Sequence, residues 1–108
     1  MDEGARKVCE LKAEVLKALA HPLRVAIAEF LRGGECCVCD IAEHVGAERS
    51  NVSRHLGLMV NAGVLESRKD GLWVFYRLKT PCVLEFLSCA SRVLREQMED
   101  ARAALAGL

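Results

Sequence analysis

The chain has no net charge, because its fifteen Lys and Arg are matched by fifteen Asp and Glu. That balance excludes a nonspecific polycation. No apolar run approaches the ~20 residues of a membrane span. The N-terminus, MDEGARKVCE, is too charged for a signal peptide. The expected location is the cytoplasm, with no membrane partner. Repeats, low-complexity tracts and linkers are missing, so residues 1–108 read as a single domain. The three histidines have no metal-ligand spacing with one another. The six cysteines do not fall into the two pairs a structural zinc module needs. No cysteine has an obvious base and orienting partner for thiol catalysis, so the expectation is not an enzyme. In a compartment that keeps thiols reduced, the cysteines are core filler, metal ligands or redox groups rather than disulfides.

The charges that are present are unevenly placed. From Arg49 to Lys79 there are six basic residues against two acidic ones, a local surplus of four. A basic footprint on a neutral protein suits a polyanion bound at that place.

Periodicity predicts mostly helix. Val8, Leu11, Val15 and Leu19 recur at helical spacing over roughly Ala5 to Ala20, an amphipathic helix. His21-Pro22 restarts the chain, and a second helix from Pro22 to Arg32 buries Leu23, Ile27, Phe30 and Leu31 before Gly33-Gly34 ends it. The stretch from Cys37 to Gly63 reads as two short helices broken at Gly46. Ile41 and Val45 make one apolar face; Val52, Leu56, Met59 and Val60 make the other. A short helix, a glycine turn and a second helix with polar residues at its start is a helix-turn-helix. Arg49, Ser50, Asn51, Ser53, Arg54 and His55 are then the candidates to meet a DNA major groove.

VLESRK, Asp70-Gly71 and LWVFYRL read as a β-hairpin, the wing of a winged helix, with Arg68 and Lys69 near its tip as further DNA contacts. Trp73, Phe75 and Tyr76 are expected to pack the hairpin onto the helices. Thr80 is the expected cap of a last helix, with Pro81 in its first turn. That helix runs some 25 residues, about 37 Å at the usual rise. Cys82, Phe86, Cys89 and Val93 form one stripe on it, and Leu84, Leu87, Leu94 and Met98 flank the stripe. So broad an apolar surface calls for a symmetric partner. The fold expected is mainly α with a β-hairpin wing, in the order α-α-α-α-β-β-α, and dimeric through its N- and C-terminal helices.

ECCVCDI, Glu35 to Ile41, is the second place where chemistry is expected. A helix start between Cys37 and Asp40 presents unpaired N–H groups, whose partial positive charge favours thiolate. Cys37 and Cys39, with Cys36 adjacent, suit a soft, thiophilic ion. The plainer alternative is that they act as small hydrophobes. Cys82 and Cys89 lie seven residues apart on one face, about 10 Å along the axis. They either fill a dimer seam or, if the last helices cross antiparallel, form a thiol pair with the partner's copies.

LKALAHPLR, ECCVCDIAEHVG, NVSRHLGLMVNAGVLESRKDGLWVFYRL and the closing helix resemble the ArsR/SmtB family of bacterial and archaeal winged-helix repressors, from about Leu16 to Leu94. The resemblance implies a homodimer that binds an inverted-repeat operator in double-stranded DNA and is released by an inducer. In metalloid-sensing members a Cys-Val-Cys at this helix start supplies thiolate ligands, which here are Cys37 and Cys39. A third cysteine common in arsenite sensors is replaced by Ala42. A third ligand must therefore be Cys36, placed first for proximity, or Cys9, Cys82 or Cys89. The aspartate and histidine pattern of the family's zinc sensors is missing from the last helix. The implied inducer is As(III) or another thiophilic ion, with no organic cofactor. The alternative is a repressor of the same fold that senses oxidants or sulfur species through its thiols.

Overall fold

A computed structural model describes residues 1–108. Five helices and three short strands follow one another as α1 (Glu3–Lys17), α2 (Pro22–Phe30), β1 (Cys36–Cys37), α3 (Val38–Val45), α4 (Arg49–Asn61), β2 (Leu65–Asp70), β3 (Trp73–Leu78) and α5 (Cys82–Ala106). A 3-10 turn, Leu31–Gly33, closes α2. The expected architecture of four helices, a hairpin wing and a last helix is present, and β1 is an addition to it.

Local chemistry sets the helix bounds. The carboxylate of Asp2 accepts a hydrogen bond from the Ala5 N–H at 2.7 Å, so α1 begins before the expected Ala5. His21 caps α2, its Nδ1 accepting from the Leu23 N–H at 3.0 Å, and Pro22 follows at a position needing no donor. Gly46 ends α3 at φ +68°, a left-handed conformation that is costly for a residue with a Cβ. In the wing, a two-residue loop carries positive φ at Gly71 and at no following residue, the pattern of a II′ hairpin turn.

The core lies between α2, α3, α4 and the inner face of the sheet. Ile27, Ile41, Val52, Leu56, Met59, Val64 and Leu65 are fully buried, each contributing ~1.5–3 kcal/mol through removal of apolar surface from water. From α5 only Val83 and Leu87 enter it, and from α1 nothing does. The terminal helices therefore project. The radius of gyration is 17.3 Å, against about 13 Å for a compact chain of this length.

Two expectations fail at the edges of this core. Thr80 does not cap α5. Pro81 occupies that position without a side-chain hydrogen bond, and the Thr80 hydroxyl is buried with no partner. Of the three wing aromatics only Tyr76 packs on the core. Trp73 is 54% exposed. Strand side chains alternate between faces, and Trp73 and Phe75 share the face opposite to Tyr76.

Candidate DNA interface and thiol site

On α4, Val52, His55, Leu56 and Met59 are buried, at spacings of three and four, while Arg49, Ser50, Asn51, Ser53 and Arg54 are exposed. The outward set is thus five of the six residues expected to face DNA. The Oδ1 of Asn51 accepts a hydrogen bond from Nη2 of Arg54 at 2.8 Å, so the two side chains form one presented unit. No acidic residue occupies the first turn of α4.

His55 is the exception and must be withdrawn from the contact set. It is 3% exposed, and its Nδ1 accepts a hydrogen bond from Nε of Arg24 at 3.1 Å. Arg24 also donates to the Lys17 carbonyl at 3.2 Å, which ties α1, α2 and α4 together. The His21 ring stands 4.5 Å from that of His55. The spacing of 52, 55, 56 and 59 is the signal in the sequence that would have placed His55 inward. Burial, aided by the charges of His21, Arg24 and Arg54, lowers its pKa below the ordinary histidine value.

That shift has a consequence for stability. A histidine whose folded pKa is depressed takes up its proton more readily in the unfolded chain. Its contribution to stability is present above the ordinary value of 6.5 and is lost as pH falls through the lower folded value. Protonation also removes the Nδ1 acceptor that Arg24 uses. Urea denaturation at neutral and mildly acidic pH is expected to show acid destabilisation in the wild type that is smaller in His55→Gln. Equal pH dependence in the two proteins would show that His55 is not its source.

The three strands form one antiparallel sheet in the order β1-β3-β2. Its register pairs Cys36 with Tyr76 and Cys37 with Phe75, while Arg68 lies across from Phe75 on the other side. Cys37, Phe75 and Arg68 therefore form a row across the outer face. Cys36, Tyr76 and Ser67 form the neighbouring row on the inner face. Arg68 stacks on the Phe75 ring, its guanidinium carbon 4.7 Å from the ring centre.

The wing is less basic than its composition promised. Nε of Arg68 donates to both carboxylate oxygens of Glu35, at 2.8 and 3.0 Å, and Nη2 donates to Oε1 at 2.6 Å. Arg77 pairs with Glu66 on the same face. Lys69 is left as an exposed wing cation outside any ion pair. Arg68, expected to reach for phosphate, is instead held by a carboxylate.

Cys37 is buried, closes β1 and stands at the cap of α3; Cys39 lies half-buried in the first turn. The expected pair is thus at the helix entry. Cys36 does not join it, because adjacent strand residues point to opposite faces, and it packs against the core. Burial, together with the nearby charges of Asp40, Cys37 and Glu35, pushes the Cys36 thiol up rather than toward thiolate. No three His, Cys, Asp or Glu side chains converge within the subunit to hold an ion. Cys9, Cys82 and Cys89 are exposed.

Residues 21–67, spanning α2 to the start of the wing, match the family model described as bacterial regulatory protein, arsR family. The uncharacterized HTH-type transcriptional regulator Rv0081 of Mycobacterium tuberculosis is 39% identical over 100 residues, covering 92% of this chain and 88% of that one. Its crystal structure superposes with a TM-score of 0.75 at 38% identity, over 87% of this chain and 95% of that chain. The homodimeric winged helix-turn-helix domain Mb0332 from Mycobacterium bovis superposes with a TM-score of 0.79 at 27% identity, over 93% of each chain. A CadC homolog from Staphylococcus aureus, a cadmium resistance regulatory protein, is 39% identical over 78% of this chain and 70% of its own length. The arsenical resistance operon repressor of Escherichia coli is 41% identical over 63% of this chain and 59% of its own. A recognition helix with its polar side outward, followed by a wing and matched over nearly the whole chain by such regulators, makes this protein a member of the ArsR/SmtB family of winged helix-turn-helix transcriptional repressors.

Proposed function

We propose that this repressor is a homodimer that holds an inverted-repeat operator and leaves it when a trivalent metalloid, arsenite first among candidates, binds thiols at the entry to α3. The observation that carries the reading is the position of Cys37 and Cys39. They sit at one end of α3, and the other end, through Gly46, leads directly into α4. Cys37 and Cys39 hold the ion, and the third thiol comes from an exposed cysteine (Cys9, Cys82 or Cys89) of either subunit. The names of the cadmium and arsenical resistance relatives support a thiophilic inducer. Arg49, Ser50, Asn51, Ser53, Arg54 and Lys69 carry the DNA contacts.

The dimer rests on uncovered apolar surface. Val8, Leu11, Val15 and Leu16 of α1 and Phe86, Val93, Leu94 and Met98 of α5 are all between 40% and 72% exposed. Contiguous apolar surface of this kind marks an association site. Sedimentation is expected to show a dimer at micromolar concentration. Footprinting on the DNA upstream of the protein's own gene should show two half-sites about one helical turn, ~34–36 Å, apart. A stable monomer that protects a single half-site tightly would reject the dimeric reading, and no retardation of that DNA would reject the operator.

A further inference from the structure

Arg68 is a cation of the wing whose guanidinium has carboxylates beside two of its edges. The Nε–Nη2 edge is taken by Glu35, and Nη1 lies 3.8 Å from Asp70. A phosphate approaching along the Nε–Nη2 edge competes with Glu35 for the same bidentate donors, and on the remaining edge it meets a guanidinium whose charge the carboxylate already balances. Arg68 is also half-exposed, so phosphate can reach it. Glu35 belongs to neither the recognition helix nor the wing. It directly precedes β1, whose Cys37 shares a row with Arg68 on the outer face of the sheet.

We propose that Glu35 is an internal competitor of DNA for Arg68, setting operator affinity from the position that leads into the strand carrying Cys37. This rests on the DNA-binding reading above and adds a residue that regulates it. Free of Glu35, Arg68 gains a phosphate contact in each subunit. In its hold, Arg68 contributes little, and the wing acts through Lys69. The arrangement places a brake on affinity two residues before the thiol pair begins.

The test uses the full-length protein and a duplex of its own upstream DNA, with affinity measured by fluorescence anisotropy across a salt series. Glu35→Gln should tighten binding about threefold per subunit at low salt, about tenfold for the dimer, and steepen the salt dependence by about 0.9 per subunit. In an Arg68→Ala background the same Glu35→Gln change should leave affinity within twofold of Arg68→Ala alone and the salt slope unchanged. Circular dichroism and thermal melts of each variant separate binding from folding. Equal tightening with and without Arg68 would mean that net charge alone acts, and would overturn the competition. Unchanged or weaker binding by Glu35→Gln would overturn it too, making Glu35 a support for the wing. A wild type that binds no duplex would overturn the operator reading together with this one.

Discussion

Arsenite added to the operator complex is expected to weaken binding severalfold to about a hundredfold, without unfolding the protein. An inducer shifts an equilibrium only by its differential affinity for the two states, and such couplings are typically ~1–3 kcal/mol. The lever is short. Cys37 ends β1 and caps α3, Cys39 lies in the first turn, and α3 is eight residues long before Gly46. Drawing those thiolates around one ion should distort that first turn. The distortion reaches α4 because Ile41 and Ala42 of α3 pack in the same core as Val52 and Leu56. Cys37→Ser and Cys39→Ser should each bind DNA as the wild type does and ignore arsenite. Cys36→Ser should keep its response, since Cys36 faces the core. Anisotropy titrations of the three variants decide this. A Cys37→Ser, Cys39→Ser double variant that still releases DNA would place sensing elsewhere.

Arg54→Ala is expected to lose operator affinity while keeping fold and dimer. A good bidentate base contact is worth ~1–3 kcal/mol of discrimination. A symmetric dimer loses it twice, so the fall should lie between about thirtyfold and about twenty-thousandfold. Arg54 is exposed, its side chain hydrogen-bonds to exposed Asn51 and enters no ion pair, so its removal leaves no buried group unpaired. Affinity for operator and for random duplex, measured side by side, separates base reading from phosphate attraction. An equal loss on both would assign Arg54 to phosphate. Unchanged affinity would remove it from the contact set.

The helices, the glycine turn, the wing and the outward polar start of α4 were legible in the sequence because they depend on short-range rules. Periodicity of three and four marked the buried stripes. Asp70-Gly71 marked the hairpin turn, and His21-Pro22 and Gly46 marked helix boundaries. The Cys37–Cys39 pair at a helix start was legible for the same reason. Composition also foretold a last helix too apolar to be covered by its own subunit, and the exposure of Phe86, Leu94 and Met98 agrees. The inward turn of His55 lay in the same stripe as Val52, Leu56 and Met59, but its polar side chain read as a surface group. Only the packing of α2 against α4 supplied the Arg24 partner that makes such burial tolerable.

What the tertiary structure alone decided involves residues distant in the chain. β1 is two residues long and has no periodicity of its own; it exists because β3, 38 to 40 positions later, pairs with it. That pairing fixes the faces on which Cys36 and Cys37 stand, and so separates two adjacent thiols that the sequence had grouped. The same pairing brings Glu35 to Arg68, 33 residues away, and turns the expected basic wing into a nearly neutral one. Local sequence determines which segments are helical and which face of each is apolar, because those preferences act over a few positions. Which charges meet, and which side of a strand a cysteine takes, depends on strand register, and register is a property of the folded sheet.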